Sequence, residues 1–323
     1  MDNQTVYRKT LTFSLHQLLW DCITLLLLGG LGIAGFFIAD RTFDKGLIGL
    51  TVGLVIGLVL VIIVVRYNSF RFKAAQIGMM TRAVTEGDLP DDVMGEGKAL
   101  VSSRFSTVAG YFAATSIIKG IFNEIGRGIT KLGESIGGEN GNAVGSAISL
   151  VIQTIVSYLC DCCLGWVFYR SQITAPKATL EGAVIFFKHG RTFAKNMARV
   201  FVFAAVSLIL IGGLFGGIAF VIFSRFPAWF DTLATEVGEA VARSGKEVPE
   251  WVSDPKMLMI ISAALVGVII WRLLHSTFVR PYVLVGVLRN YMASGVNDIP
   301  GETELAMLDG KSAKFRKLHT EAV

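Results

Sequence analysis

Charged residues are scarce in this chain of 323 residues, where they make up 17% of the sequence. Soluble domains carry about 25% charged residues. Hydrophobic residues account for 53%, and long stretches contain no charge at all. This composition excludes an ordinary soluble enzyme, a disordered protein and a small disulfide-bonded domain, and it predicts an integral membrane protein.

The sequence also lacks the signatures of catalysis and of metal binding. It contains no nucleophile elbow, no Walker loop, no zinc-ligand spacing and no paired-carboxylate motif. Cys160, Cys162 and Cys163 surround Asp161, but on a helix only positions 160 and 163 share a face. That leaves too few ligands for a closed zinc site. We therefore expect no enzymatic activity, no cofactor and no metal ion.

A nucleic-acid footprint is absent as well. The formal net charge is +5, but the basic residues form no patch interleaved with aromatic side chains, which base stacking requires. Basic residues on the cytoplasmic loops of a membrane protein, facing anionic lipid, account for the same charge. The predicted partners are therefore the lipid bilayer and a small solute, and no nucleic acid.

Long uncharged stretches predict the membrane spans. A helix needs about 20 apolar residues to cross a bilayer, and inside lipid its backbone groups must bond to one another. None of the stretches alternates polar and apolar residues as a barrel strand does. Five stretches meet the length requirement directly: 18–39, 46–65, 143–169, 200–223 and 257–277.

A sixth crossing, near residues 107–125, follows from the positive-inside rule. The region 106–138 is amphipathic and broken by glycines, so it either crosses the membrane or lies on its surface. If it crosses, basic residues are concentrated on one side by more than two to one; otherwise they divide almost equally. We therefore predict an all-α, polytopic membrane bundle with six spans and both termini cytoplasmic, in a plasma membrane or a bacterial inner membrane.

The predicted spans form one transmembrane domain over residues 1–300, followed by a basic cytoplasmic tail at 301–323. Within the domain, an outer amphipathic loop at 224–256 is flanked by Trp229 and Trp251, as interfacial anchors are. A short helical stripe of apolar residues between the two tryptophans predicts a helix that lies on the outer surface.

Glycines suggest an internal repeat. Gly78, Gly182 and Gly286 recur at one constant spacing, each in a segment that follows an even-numbered span. This pattern indicates three helical hairpins, each followed by a cytoplasmic amphipathic helix, as in transporters built from duplicated units. In a chain with 35 glycines, coincidence is the alternative explanation.

Small-residue ridges predict close helix packing in two of the spans. Gly49, Gly53 and Gly57 stand four residues apart in the second span. The fifth span carries Gly212, Gly213, Gly216 and Gly217. Small residues let two helix backbones approach closely, so we predict tight helix contacts at both places.

Charges inside the predicted spans are the strongest functional signal. Lys119, Asp161 and Arg272 each lie in a span, where burial of a charge costs at least about 2.5–3.5 kcal/mol. They are therefore expected to face a partner or water. Asp161 and Arg272 are predicted to pair or to line one polar path; separate snorkelling of Arg272 to the headgroups is the alternative.

One stretch resembles a known family. It runs from Cys162-Cys163-Leu164-Gly165-Trp166 through 179–199, with Gly182, Phe186-Phe187, Asn196 and Arg199. Over about residues 100–296 this resembles the C-terminal half of the choline transporter-like proteins, which have more spans and a large outer loop. The resemblance implies permeation of a choline-like amine, with the cation held by the aromatic rings of Tyr158, Trp166 and Trp271.

Together these features predict a membrane transport protein that gives a pathway for a small polar or cationic solute. The predicted path residues are Asp161, Lys119, Arg272, Tyr158 and Trp271. A non-catalytic membrane scaffold that docks partners through its cytoplasmic helices is the first alternative. A homo-oligomeric channel lined by a helix at 107–137 is the second.

Overall fold

The computed structural model describes residues 1–43, 45–105, 116–117, 119–121, 141–243, 245, 248–310 and 312–322. Within these ranges the regular secondary structure is entirely helical, which confirms the predicted all-α class. The chain divides into two compact units. The first unit contains Met1–Ala198 and Pro281–Val323, and the second contains Arg199–Arg280.

Four of the described helical segments are long and apolar enough to cross a membrane. They are Asn3–Phe43, Ile48–Val65, Val202–Phe223 and Pro255–Asn297. In the apolar window of 18 residues that qualifies each segment, few residues are buried by the protein itself, so the apolar side chains there form an outward surface that lipid would cover. The chain therefore has the character of a membrane protein with at least four candidate spans in its described part.

The first unit begins with a helical hairpin. Helix α1 covers Asn3–Phe43, and helix α2 covers Gly46–Leu60. A π-helical turn at Val61–Val65 joins α2 without a break to helix α3, Arg66–Thr85. The helices extend well beyond the predicted spans because an apolar window marks only the part that faces lipid, whereas the backbone hydrogen bonding continues into the polar flanks.

The predicted glycine ridge lies at the closest approach of α1 and α2. A Cβ atom on Gly49 would overlap the carbonyl oxygen of Gly35, and one on Gly53 would overlap that of Leu31. At Gly57 the nearest backbone oxygen, from Leu27, would be 3.1 Å away. The prediction of tight packing is confirmed for this pair of spans.

Helices α4 and α5 both pack against α3. Helix α4 covers Val93–Arg104 and starts at Asp92, whose carboxylate accepts a hydrogen bond of 2.8 Å from the Gly95 amide. Helix α5 covers Gly141–Tyr169. Its second half is enclosed by protein, with Cys162 and Trp166 fully buried.

The two remaining predicted spans are therefore not among the four candidates. Helix α5, Gly141–Tyr169, coincides with the predicted span 143–169, and its residues Val156–Tyr169 form an apolar helix. The predicted crossing at 107–125 lies outside the described residues, except for 116–117 and 119–121. The six-span count stays a prediction.

Helix α6, Ala175–Ser207, continues through a π-helical turn at Leu208–Gly212 into helix α7, Gly213–Phe223. Helix α8, Pro227–Arg243, and the single turn α9, Glu250–Ser253, follow. Helix α10, Pro255–Leu274, leads through a third π-helical turn, His275–Val279, into α11, Arg280–Asn297. The chain ends with α12, Glu302–Asp309, and α13, Ala313–Ala322.

In the second unit, α7 and α10 pack closely through glycine. A Cβ atom on Gly267 would overlap the carbonyl oxygen of Gly212 and lie 3.0 Å from the Cα of Gly216. Gly213 and Gly217 have no such neighbour within 4 Å. The predicted ridge of the fifth span is thus correct for 212 and 216, which share a helix face, and wrong for the glycines that follow them.

The segment predicted as a basic tail folds back onto the first unit. Apolar residues of α12 and α13 join residues of α6 in one buried cluster; its members are Ile121, Leu180, Ala183, Val184, Leu305, Leu308, Phe315 and Leu318. The basic side chains of Lys314, Arg316 and Lys317 stay exposed on the opposite face of α13. The tail is therefore an amphipathic pair of helices with a buried face.

Ion pairs beside this cluster join α6 to the segment 298–304. The Lys188 ammonium contacts the carboxylates of Asp298 and Glu304, and the Lys177 ammonium lies 2.9 Å from Glu302. Hydrogen bonds from the two lysines hold the pKa of these three carboxyl groups below their ordinary values. A carboxylate with a lowered pKa stabilises the folded state above its ordinary pKa, and this contribution is lost as the pH falls through the lowered value.

We predict that the Gly49→Ala substitution destabilises the hairpin of α1 and α2. The added methyl group must push the helices apart, at a cost of about 1–3 kcal/mol. The measurement is the apparent melting temperature of the detergent-solubilised protein.

Gly29→Ala is the matched control for this substitution, because a Cβ atom at Gly29 meets nothing within 4 Å. Removing the flexibility of glycine from a helix should leave its stability unchanged or raise it by up to about 1 kcal/mol. Equal melting temperatures for the two variants would contradict the close approach.

We also predict that acid loosens the tail helices. A spin label on Met307→Cys, a position 72% exposed, should report greater mobility as the pH falls from 7 to below about 4, where Asp and Glu ordinarily titrate. In Lys188→Met the acid-dependent change should shrink, because Asp298 and Glu304 have already lost their cation. A label on Thr232→Cys in α8 serves as the control for general unfolding, and an unchanged spectrum at position 307 would refute the prediction.

Candidate functional site

The predicted path residue Asp161 lies on α5 and forms an ion pair with Lys73 on α3. The Lys73 Nζ and the Asp161 Oδ1 are 2.7 Å apart, and the Asp161 side chain is 7% exposed while that of Lys73 is 32% exposed. A carboxylate so far removed from water requires a cation or several hydrogen-bond donors, and the lysine supplies the cation. The carboxylate of Asp161 therefore links α5 to α3.

One turn along α3, Gln76 forms the polar contact with α1. Its amide nitrogen donates to the Ser14 hydroxyl at 2.7 Å and to the carbonyl of Thr10 at 3.2 Å. Its amide oxygen accepts from Gln17 at 3.0 Å. Helix α3 thus makes polar contacts with two neighbouring helices, through Lys73 to α5 and through Gln76 to α1. The sequence did not predict either contact, although both polar residues interrupt an apolar stretch and stand three positions apart.

A second buried carboxylate belongs to Glu181 on α6. It accepts hydrogen bonds from the Trp166 indole at 3.0 Å and from two guanidinium nitrogens of Arg170, at 2.9 and 3.1 Å. A fork of two parallel hydrogen bonds is the strongest arrangement between arginine and a carboxylate. Trp166, which the family resemblance places around a cation, is here enclosed by protein and held by Glu181.

Arg104 closes the end of α5. Its guanidinium donates at 3.0 Å to the carbonyl oxygen of Val167, in the last turn, where a helix leaves carbonyl groups without amide partners. It also donates at 3.1 Å to the carbonyl oxygen of Arg170, just beyond the helix. Partial burial lowers the pKa of Arg104 from its ordinary value, but arginine remains charged. The contact ties the end of α4 to the end of α5.

The structure also describes Tyr158 and Lys119, the other predicted path residues of the first unit. Tyr158 is buried on α5, about one turn before Asp161. Lys119 is exposed, while its neighbour Ile121 is buried in the cluster formed with α12 and α13. The role of both residues in a solute path stays a prediction.

Arg272 and Trp271 lie in the second unit, on α10. The predicted pairing of Asp161 with Arg272 therefore joins residues of two different units, and it also stays a prediction. Trp271 has a well-defined environment within its own unit, which is built around the hydroxyl group of Ser207.

Ser207, Trp271 and His275 form a hydrogen-bonded cluster between the two candidate spans of the second unit. The indole nitrogen of Trp271 donates to the Ser207 Oγ at 3.0 Å, and the His275 Nδ1 lies 3.0 Å from the same oxygen. The Ser207 Oγ is also 2.9 Å from the Ala204 carbonyl oxygen. Because a hydroxyl group has one proton, Ser207 donates either to Ala204 or to His275, according to the tautomer of the imidazole.

The helices on both sides of the cluster change to π geometry at this level. The π-helical turn Leu208–Gly212 starts directly after Ser207, and the turn His275–Val279 starts at the histidine itself. At 1.5 Å per residue, Ser207 lies about 24 Å from Phe223, and His275 lies about 30 Å from Pro255. The cluster thus occurs at a similar depth in both helices, far from the loop that connects them. Single π-helical turns are rare and often mark functional positions.

The cysteines around Asp161 contribute to packing. Cys163 is fully buried, and its sulfur is 3.6 Å from the carbonyl oxygen of Thr179 and lies close to Gly182. Among the described residues, no group of three His, Cys, Asp or Glu side chains is arranged to hold a metal ion.

Comparison of the chain with protein-family models, with curated proteins and with solved structures gives no match.

We predict that Asp161 and Lys73 behave as a coupled pair in stability. Asp161→Asn or Lys73→Met alone should lower the free energy of unfolding by about 2–3 kcal/mol, somewhat less than for a fully buried pair because Lys73 keeps partial access to solvent. The double variant should recover to within about 1 kcal/mol of the native protein. Thermal unfolding of the four proteins in detergent gives the coupling energy.

Glu86→Gln is the matched control, since Glu86, directly after the end of α3, forms an exposed ion pair with Arg82 of that helix. Its effect should be below about 1 kcal/mol. Additive losses in the Asp161 and Lys73 series would show that the two residues are not coupled.

Proposed function

We propose that this chain is a multi-pass membrane transport protein that provides a pathway for a small polar or cationic solute. The observation that supports the proposal is the cluster of Ser207, Trp271 and His275 between two candidate spans. Polar and ionisable side chains are expensive within a membrane, and where they occur they usually face a polar pathway or a partner.

The cluster has chemistry suited to a small solute. The hydrogen bond to Ser207 fixes the orientation of the Trp271 indole, and the His275 ring lies 5.2 Å from it. An indole with a fixed orientation attracts a cation over its face, which agrees with the choline-like amine that the family resemblance implies. Hydroxyl and imidazole groups can also exchange hydrogen bonds with an uncharged polar solute.

The proposal includes the six-span topology with cytoplasmic termini, in a plasma membrane or a bacterial inner membrane. It is supported by the distribution of lysine and arginine along the sequence. Asp161, Lys119, Arg272 and Tyr158 remain part of the proposed path, each to be tested by its own variant. For Asp161, the double variant with Lys73→Met separates a role in the path from a role in the ion pair: restored stability without restored transport would assign it to the path.

A non-catalytic scaffold is the second candidate function. It is favoured by the tail, where α12 and α13 form a packed pair of helices whose Met307 and basic side chains remain exposed. A scaffold would show no solute flux, and removal of 301–323 would release its partners. The third hypothesis, a homo-oligomeric channel, depends on a helix at 107–137, most of which lies outside the described residues.

We predict that the purified protein in liposomes takes up radiolabelled choline faster than protein-free liposomes do. Ser207→Ala and Trp271→Phe should each lower the initial rate about tenfold, because loss of one hydrogen bond of about 1.4 kcal/mol displaces the indole. Glycerol, an uncharged probe of similar size, distinguishes a cation pathway from a general polar pathway.

Two control substitutions lie elsewhere in the second unit. Ser224→Ala removes a hydroxyl that bonds to Val221 of its own helix, and Trp251→Phe changes an exposed indole. Both should leave the rate unchanged. Folded protein that raises the flux of neither probe would exclude the transport proposal and favour the scaffold.

A further inference from the structure

Helix α8 packs against the ends of the two candidate spans of the second unit. Phe230 and Ala234 are each 7% exposed and form a small core with Leu258 of α10. Phe223 and Met259 pack around this core. One face of α8 is therefore held by the protein.

A second apolar strip on α8 is not covered by the described protein. Trp229 is 76% exposed and Leu233 is 39% exposed, while Phe226, just before the helix, is 57% exposed. At about 100° per residue, Trp229 and Leu233 lie side by side, next to the face that carries Phe230 and Ala234. The apolar arc of the helix is thus wider than its contact with the protein.

The opposite face of α8 is polar. Asp231, Thr235 and Glu239 line an open cavity of about 530 Å³ that also reaches Ser253 and Pro255. Asp231 and Glu239 lie on this face, whereas Glu236 lies at its border beside Trp229. The single arginine of the helix, Arg243, pairs with Glu239, so the polar side of α8 is acidic. Such a face is suited to water and is repelled by anionic headgroups.

Exposed apolar residues of the two candidate spans lie on both sides of the strip along the chain. Val221 and Ile222 at the end of α7 are exposed, as are Met257 and Ile260 at the start of α10. These residues flank the segment that carries Trp229 and Leu233 along the chain. Since α8 packs on the ends of α7 and α10, whose exposed apolar residues are suited to lipid, the strip is attached to the part of the unit that is expected to meet the membrane.

We propose that α8 is an interfacial helix that inserts Trp229, Leu233 and Phe226 into the headgroup–acyl boundary of the membrane on the side where residues 224–254 emerge. Tryptophan is enriched at this boundary, and a helix with one apolar and one polar face lies in its plane. Because the polar face is acidic, the insertion depends on apolar contact with neutral or zwitterionic lipid and gains nothing from anionic lipid.

The test uses a fluorescent label in the full-length protein reconstituted into phosphatidylcholine vesicles. Cys22→Ser removes the partly exposed cysteine, and the other cysteines are buried. An NBD group is attached to Leu233→Cys, which preserves Trp229, and in a matched variant to Thr232→Cys on the polar face. The quenchers are a lipid with a nitroxide near its headgroup and aqueous iodide.

The label at 233 should be quenched several-fold more by the lipid nitroxide than the label at 232, and iodide should show the reverse order. Replacing 30% of the lipid with phosphatidylglycerol should not increase the lipid quenching. Equal iodide quenching at both positions would show that the strip faces water and would overturn the proposal.

Shielding of position 233 from both quenchers would also overturn the proposal, because protein would then cover the strip, either a second copy of this chain or another partner. A marked gain from anionic lipid would overturn the charge-independent mode of insertion. None of these results depends on solute flux, so the proposal stands or falls separately from the transport function.

Discussion

Removal of charge from water is the constraint on which the described structure depends. Two buried carboxylates each form an ion pair with a residue from another element. Asp161 of α5 pairs with Lys73 of α3, and Glu181 of α6 pairs with Arg170 at the end of α5. Each pair joins two elements that apolar packing alone would allow to slide. An unpaired charge at either position would cost several kcal/mol, so the pairs specify which helices lie together.

The same constraint explains why long continuous helices dominate the fold. Three long helical segments combine an apolar span with a more polar stretch, and each contains a π-helical turn. The turns Val61–Val65 and His275–Val279 follow an apolar stretch, whereas Leu208–Gly212 lies within the candidate span Val202–Phe223. A π-helical turn keeps backbone groups bonded while it shifts the direction of the side chains that follow. An apolar face directed to lipid and a face directed to protein can therefore follow each other on one helix without a break.

Patterns that depend on one helix could be predicted from the sequence, whereas contacts between helices could not. The four-residue spacing of Gly49 and Gly53 marks a helix face and correctly predicted a close approach. The adjacent glycines Gly212 and Gly213 point to different faces of the helix, and only Gly212 lies against the neighbouring helix α10. For Asp161 the sequence suggested Arg272 as a partner, and the ion pair with Lys73 depends on a packing of α3 against α5 that no local pattern contains.

The tail and the Ser207 cluster also differ in whether one helix or two helices determine them. Leu305, Leu308, Phe315 and Leu318 recur at helical intervals and indicate an apolar face, whereas the basic residues of the same segment indicate an exposed tail. Ser207 is a small hydroxyl residue in an apolar span, where such residues commonly bond to their own helix. Its significance arises only because the second helix brings Trp271 and His275 to the same oxygen. A single serine or histidine adds little to the free-energy cost of inserting one apolar helix into the membrane, and the polar contact forms only when the two helices pair. A membrane protein can in this way hold hydrogen-bonding groups within a span whose sequence is still apolar.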